Sequence, residues 1–107
     1  DGFLFENFVY NSLKEYLKLT PIIIHFWRTQ DKAEVDFVLD ATSNVIPIEV
    51  KYKSLKSPEV SRSFRSFLTK YKPDKAYIVH LGSKFEVNIE DTKVYFIPFF
   101  NTGDITK

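Results

Sequence analysis

The sequence predicts a single α/β domain in which a mixed sheet is flanked by helices. Residues 3–18 and 58–71 repeat apolar side chains at helical spacing. Between them, residues 34–40 and 46–53 alternate apolar and polar side chains, which is typical of half-buried strands. A nearly continuous apolar run at residues 76–81 follows the second helix, so we expect a strand covered on both faces and joined by a parallel crossover.

Size and composition favour one globular unit. The chain has 107 residues, 44% of them hydrophobic, and this length supports one core but no second domain. It has no cysteine, so disulfides and thiolate metal sites are excluded. No apolar run has membrane length and no signal peptide is recognisable, so we expect a cytoplasmic protein without a membrane partner. Because it opens on Asp1 and enters a helical pattern at once, we expect a fragment of a longer chain.

The first helix carries one acid on its apolar side. Val9, Leu13 and Leu17 define this side, and Glu6 projects into the same arc at 100° per residue. Burying an ionised carboxylate without a partner is costly. Glu6 is therefore a candidate site residue, although an acid in the first turn can also bend to solvent or interact with the helix N-terminus.

The next element is a strand at residues 22–28, rich in β-branched and aromatic side chains. A polar loop at 29–33 separates it from the strand that begins at Glu34. Pairing across this loop brings Arg28 near Glu34, which favours an ion pair, with a phosphate contact as the alternative role of Arg28.

Residues 34–53 are expected to form a hairpin with its acids on one face. With residues 41–44 as the loop, Asp36 falls opposite Glu49, and a slip of one residue would reverse both faces. The apolar pairs in this register are 39 with 46, 37 with 48, and 35 with 50. Like charges opposite each other destabilise a sheet. Lys51, two residues beyond Glu49, can neutralise only part of this charge, so a divalent cation is the natural further partner.

The second helix is expected from Pro58 to Tyr71, with Ser57 as its N-cap and Lys72-Pro73 ending it. It lies within a basic block from Lys51 to Lys75 that holds eight bases and two acids, a charge of +6 in a chain whose total is +1. This block suits a phosphodiester partner, although a solvated helix face has the same composition. The candidate phosphate-binding residues are Lys53, Lys56, Arg62 and Arg65, together with Arg28.

Two short strands are expected after the run at 76–81, at residues 85–89 and 94–97, and the chain from Asn101 onward is expected to be a frayed tail. The aromatic residues Phe96, Phe99 and Phe100 suggest an exposed patch. Such a patch would support a homodimer or pack on a preceding part of a longer chain.

The element order resembles the PD-(D/E)XK nuclease superfamily, which includes restriction endonucleases and archaeal Holliday-junction resolvases. The resemblance rests on an acid in the first helix, an aspartate on the second strand and Glu-Val-Lys on the third. More narrowly, the chain resembles the domain of unknown function that follows an AAA+-type ATPase core in many bacterial and archaeal proteins. The segments that carry this likeness are Gly2-Phe3-Leu4-Phe5-Glu6-Asn7-Phe8-Val9, Phe26-Trp27-Arg28-Thr29, Glu34-Val35-Asp36-Phe37-Val38 and Pro47-Ile48-Glu49-Val50-Lys51.

The resemblance implies a restriction-endonuclease-like αβββαβ core with extra C-terminal strands over residues 1–107, attached to an ATPase and acting on DNA. Asp36, Glu49 and the Val50 carbonyl would bind Mg²⁺ or Mn²⁺. Glu6 would order a water or help to hold a second ion. Lys51 would orient the attacking water or stabilise charge on the phosphate, completing a catalytic set of Glu6, Asp36, Glu49 and Lys51.

Two other interpretations remain open from the residues. Lys51 could simply form an ion pair with Glu49 or Asp36 in a polar cluster without metal. The domain could also be a non-catalytic accessory module that docks DNA or protein for an ATPase.

Overall fold

The computed structural model describes residues 1–106, which form two α-helices, six strands and a C-terminal 3₁₀ segment. In chain order the elements are α1 (Gly2–Leu17), β1 (Ile23–Arg28), β2 (Glu34–Asp40), β3 (Val45–Val50), α2 (Arg62–Tyr71), β4 (Lys75–His80), β5 (Phe85–Ile89), β6 (Thr92–Pro98) and η1 (Phe99–Thr106). The predicted order of helices and strands is confirmed. Most strand boundaries differ from the prediction by only one or two residues.

The strands form one mixed sheet in the order β1-β2-β3-β4-β6-β5. Neighbours are antiparallel from β1 to β3 and between β5 and β6, whereas β4 runs parallel to both β3 and β6. The connection from β3 through α2 to β4 is therefore the expected parallel crossover. The predicted α/β class, with a mixed sheet flanked by helices, is confirmed.

The two faces of the sheet hold separate hydrophobic clusters. On the α1 face, the buried side of α1 packs on β2 and β3, with Val9 and Leu13 fully buried beside Phe37 and Ile48. On the α2 face, Phe64 and its helical neighbours pack against β4 and β6. The sheet is thus covered on both sides, which agrees with the continuous apolar run in β4.

The hairpin of β2 and β3 has the predicted register. Phe37 pairs with Ile48 and Leu39 with Ile46, and the loop closes where the Ala41 N–H donates to the Asn44 carbonyl at 3.0 Å. The hydrophobic pattern and the short polar loop determine this register together.

One prediction about the hairpin is wrong, because β2 carries a bulge. His25 pairs with Val38 and Trp27 with Val35, so the single residue Phe26 lies opposite both Asp36 and Phe37. Because of this extra residue, the side chains of β2 that precede the bulge lie on the opposite face of the sheet from the one that regular alternation predicts. Val35 consequently lies in the α2-face cluster, not beside Phe37 and opposite Val50.

The second helix begins at Arg62, later than the predicted Pro58. Its N-cap is Ser61, whose hydroxyl oxygen accepts a hydrogen bond from the Phe64 N–H at 3.1 Å. The predicted cap Ser57 lies outside the helix, in a segment whose Leu55 is buried in the α2-face cluster. The predicted end is confirmed, since Lys72 adopts the left-handed conformation and its N–H donates to the Leu68 carbonyl.

The expectation of a frayed tail is also wrong. In η1, Thr102 and Ile105 are only 2% exposed, and Ile105 belongs to the α1-face cluster. The proposed aromatic patch is reduced because Phe96 is fully buried and stacked on Phe85, although Phe100 is 72% exposed. The end of the described chain is therefore part of the core.

Among residues 1–106, neither helix has the length and apolar character needed to cross a bilayer.

Candidate functional site

A pair of carboxyl groups lies where α1 meets the bulge of β2. Glu6 is half-buried on α1, and its carboxyl group shares a hydrogen bond with that of Asp36. Burial raises the pKa of Glu6, and the Asp36 charge, the shared hydrogen bond and the charge of Glu34 raise it further, while Arg28 lowers it. Two carboxyl groups in contact are stabilised by a proton or a cation between them, and the raised pKa of Glu6 favours its protonated form.

The bulge places Asp36 in this position. Its Oδ2 accepts a hydrogen bond from the Val50 N–H at 2.8 Å, a side-chain contact to β3 next to the last paired residues of the hairpin. Burial raises the pKa of Asp36, whereas the hydrogen bonds from Val50 and Glu6 and the charge of Lys51 counteract the rise. Asp36 is therefore the member of the pair that accepts hydrogen bonds and tends to carry the negative charge.

Glu49 is buried at the junction of β3 and α2. It is 5% exposed, and its Oε2 accepts a hydrogen bond from the Ser61 hydroxyl at 2.7 Å. Burial raises its pKa, the Ser61 hydrogen bond lowers it, and the charge of Asp36 raises it. The two hairpin acids, predicted to share one face, thus influence each other electrostatically while they bond to partners from different parts of the fold.

Lys51 follows Glu49 and is half-buried beyond the end of β3. Its backbone N–H donates to the Val79 carbonyl at 2.8 Å, which ties it to β4. Its charge lowers the pKa of both Asp36 and Glu49. The four predicted catalytic residues are therefore linked electrostatically: Glu6 interacts with Asp36, Glu49 also interacts with Asp36, and Lys51 acts on Asp36 and Glu49 but not on Glu6.

The predicted metal ligands are neighbours but do not form a chelating group. Among residues 1–106, no set of three or more histidine, cysteine, aspartate or glutamate side chains is arranged to hold a metal ion. The Glu49 carboxylate accepts a hydrogen bond from Ser61. The Val50 N–H donates to Asp36, whereas the predicted metal ligand was the Val50 carbonyl. The donor atoms are all oxygens, the chemistry that Mg²⁺ prefers, but Glu49 would have to turn from Ser61 to complete the set.

The predicted phosphate-binding residues differ in their availability. Lys53, Lys56, Arg62 and Arg65 are exposed. Lys53 Nζ lies 3.9 Å from Glu59 Oε1. Arg28 is engaged in the ion pair that the sequence favoured, with its Nε 3.1 Å from Glu34 Oε2.

Two residues near the site were missed by the sequence analysis. Ser61 joins α2 to Glu49, and the signal for it was a serine three residues before the first buried helical residue, Phe64. His80 is fully buried: its Nε2–H donates to the Ser83 carbonyl at 2.8 Å, while Nδ1 accepts from the Leu55 N–H at 3.1 Å. His80 thereby fixes the segment that follows Lys51, and nothing in an apolar strand indicated this role.

Comparison with known proteins finds a family of unknown function. The family described as "Domain of unknown function (DUF4143)" matches residues 1–100. An uncharacterized protein of Mycobacterium bovis and another of Mycobacterium tuberculosis are each 33% identical to the chain over 81 residues, or 76% of the chain. The matched region spans only 18% of the length of each relative.

Proposed function

We propose that this chain, which belongs to the DUF4143 family, is a Mg²⁺-dependent, endonuclease-like domain of the PD-(D/E)XK type that hydrolyses phosphodiester bonds in DNA. The description of the family itself assigns no activity. The observation that carries this proposal is the clustering of three acids, in which Glu6 and Glu49 each interact with Asp36, and Lys51 acts on Asp36 and Glu49. Carboxylates that are buried together with too little positive charge favour a bound cation.

The topology supports the same assignment at the level of the fold. A helix, three antiparallel strands, a second helix and a parallel strand occur in the order expected for a restriction-endonuclease-like core. In this arrangement β5, β6 and η1 are additions after the core.

Each residue has a defined part in the proposed reaction. Asp36, Glu49, the Val50 carbonyl and Glu6 would hold Mg²⁺ or Mn²⁺, which would polarise the phosphodiester and favour ionisation of a bound water. Lys51 would stabilise negative charge that develops on the phosphate. The raised pKa of Glu6 favours a proton on this group in the metal-free site, and a bound cation would displace that proton.

The DNA backbone would bind along the basic residues beside the cluster. Lys53, Lys56, Arg62 and Arg65 are exposed and follow the acidic site in the chain, so they can contact phosphates without reading sequence. Arg28 would contribute only if it left Glu34. The relatives are several times longer than the matched region, which is compatible with an AAA+-type ATPase core elsewhere in the full-length protein.

The experiment is a cleavage assay on supercoiled plasmid with Mg²⁺ or Mn²⁺, comparing the chain with Asp36→Ala and Lys51→Ala. We expect nicking that falls by about 10²-fold or more in each variant, because each removes charge stabilisation at the reacting phosphate. The matched control is Asp40→Asn, on the same strand but in an exposed contact with His25, and it should cleave normally. Cleavage that persists in Asp36→Ala would show a contaminating nuclease and reject the assignment.

A second function is favoured by the contact between Ser61 and Glu49, which satisfies one of the acids without metal. In this alternative the domain is a non-catalytic accessory module that binds DNA or protein for an ATPase. Titration calorimetry with Mg²⁺ and Mn²⁺ distinguishes the two: the nuclease requires binding that Asp36→Asn abolishes, whereas the accessory module requires no metal affinity. Salt-dependent DNA binding without cleavage would identify the DNA-docking form.

A further inference from the structure

A groove separate from the acidic cluster lies between the β1–β2 loop and α2. Its volume of about 440 Å³ falls within the roughly 300–1,000 Å³ range of small-molecule pockets. Among the residues that line it are Trp27, Asp31, Lys32, Arg62, Ser66 and Lys70. The groove is connected to the acidic cluster along the chain, because Arg62 directly follows Ser61, whose hydroxyl bonds to Glu49.

The groove is positively charged. Lys32, Arg62 and Lys70 line it against the single acid Asp31, and all four side chains are exposed. None of the ion pairs found within residues 1–106 includes any of these four. Three cations on one concave surface favour an anionic ligand that has more than one charged group.

The loop side of the groove has a defined shape. The Thr29 N–H donates to the Ala33 carbonyl at 2.9 Å, and the Lys32 N–H donates to the Thr29 carbonyl at 3.1 Å. Thr29 also accepts the Ala33 N–H on its hydroxyl at 3.2 Å. These bonds close the loop and hold Lys32, which has a positive φ of 66°, at the rim of the groove.

The aromatic wall of the groove is Trp27. Its ring is half-buried and packs edge-on against Phe67, with centroids 5.2 Å apart, and against Tyr71, with centroids 6.3 Å apart. A ring fixed in this way can offer its remaining surface to a flat ligand with little loss of side-chain entropy.

We propose that this groove binds an unpaired nucleotide of single-stranded DNA, with the base against Trp27 and the neighbouring phosphates against Lys32, Arg62 and Lys70. An aromatic ring combined with a basic channel is how proteins bind single strands without sequence preference. The choice of DNA as the ligand rests on the proposed function. Binding in the groove itself would need neither the metal nor the acids of the proposed active site. The inference specifies a substrate with an unpaired segment next to the bond to be cut.

Trp27 is the only tryptophan of the chain, so its fluorescence reports on this groove directly. The experiment titrates the chain, in EDTA, with an oligothymidylate of about eight nucleotides, a length typical of small single-strand sites. We expect saturable quenching, because a stacked base quenches indole emission. A fully paired duplex of the same length and poly-glutamate should leave the emission unchanged.

Variants test whether the groove is responsible. Arg62→Ala with Lys70→Ala should weaken the affinity for the oligonucleotide by about tenfold or more at low salt, because two phosphate contacts are lost. Ser66→Glu, which adds a negative charge inside the groove, should also weaken it. Lys18→Ala is the matched control, since Lys18 is exposed and pairs with Glu15 on α1. Circular dichroism should show that all variants are folded.

Several outcomes would overturn the inference: equal quenching by the duplex, equal quenching by poly-glutamate, or equal losses in Lys18→Ala and in the groove variants. Repeating the titration with Asp36→Asn separates this inference from the proposed nuclease. Quenching that survives in a chain unable to cleave supports the groove alone. Metal-dependent cleavage without quenching in the intact chain would reject the groove while leaving the nuclease in place.

Discussion

Glu6 and Asp36 illustrate how a single inserted residue brings two acidic side chains together. The bulge in β2 places Asp36 where its carboxyl group meets both Glu6 and the Val50 N–H. Sequence periodicity placed Glu6 on the apolar side of its helix and so made it a candidate site residue. The bulge was not predicted, because Val35, Phe37 and Leu39 alternate as in a regular strand and only the apolar Val38 departs from that pattern.

The raised pKa values of Glu6, Asp36 and Glu49 give the first prediction. Their folded-state pKa values lie above those of the unfolded chain, so the folded state binds protons more tightly. Without metal, the contribution of these three groups to the free energy of unfolding should be largest below the ordinary carboxyl range near pH ~4 and should fall as pH rises through the raised pKa values. Urea denaturation in EDTA across this range measures the decline.

Glu6→Gln should make that decline shallower and stabilise the metal-free chain at neutral pH, because the amide can donate to Asp36 without needing a proton from solution. The matched control is Glu15→Gln, an exposed acid that pairs with Lys18 on the same helix. A decline that is equally steep in Glu6→Gln and in the unmodified chain would contradict this account of the pair.

Metal addition gives the second prediction. If Mg²⁺ replaces the shared proton of Glu6 and Asp36, binding should release protons and raise the melting temperature in proportion to the logarithm of metal concentration. Calorimetry in two buffers with different ionisation enthalpies counts the released protons. Asp36→Asn should abolish both effects, whereas Asp40→Asn should retain them.

At the scale of elements, α2 is linked to the site by its first turn. The Ser61 hydroxyl accepts from the Phe64 N–H and donates to Glu49, so one group caps the helix and positions an acid. The sequence analysis predicted only Ser57, before a proline, as the cap. The structure uses Ser61, whose hydroxyl also bonds to buried Glu49, and this contact depends on the tertiary structure.

The third prediction concerns this serine. Ser61→Ala should lower the free energy of unfolding by about 1 kcal/mol or more, because it removes a helix cap and leaves buried Glu49 without its donor. Ser61→Thr keeps the hydroxyl and should largely restore stability. Ser57→Ala, at the originally predicted cap, should change stability by less than ~0.5 kcal/mol. The reverse ranking in chemical denaturation would assign the cap to Ser57.

At the scale of the whole molecule, the sheet brings together residues that the chain keeps apart. The predicted fold class was confirmed because each element has its own periodicity and the β2–β3 register follows from local pattern. The packing of η1 was not predictable, because its few apolar residues do not recur at the spacing of a helix or a strand. Ile105 belongs to a cluster that residues of α1 and of the sheet form together, so its burial depends on the tertiary structure.

The packed C-terminal segment gives the last prediction. Phe99 contacts the rings of Phe5 and Phe8 at 5.8 and 5.9 Å, and a Cβ at Gly103 would lie 2.8 Å from the ring of Tyr16, so η1 holds α1 closely along its length. Ile105→Ala should therefore cost about 2–5 kcal/mol of stability, as for other buried aliphatic truncations.

The control for Ile105→Ala is Phe100→Ala, which removes a larger side chain from a position that is 72% exposed and should cost little. Because α1 carries Glu6 and the sheet carries Asp36, loosening the α1 packing should also weaken any Mg²⁺ affinity of the folded Ile105→Ala chain. A variant that keeps full stability would mean that η1 does not pack on α1 in solution. A destabilised variant with unchanged metal affinity would mean that Glu6 is held by its own helix and not by the packing of η1.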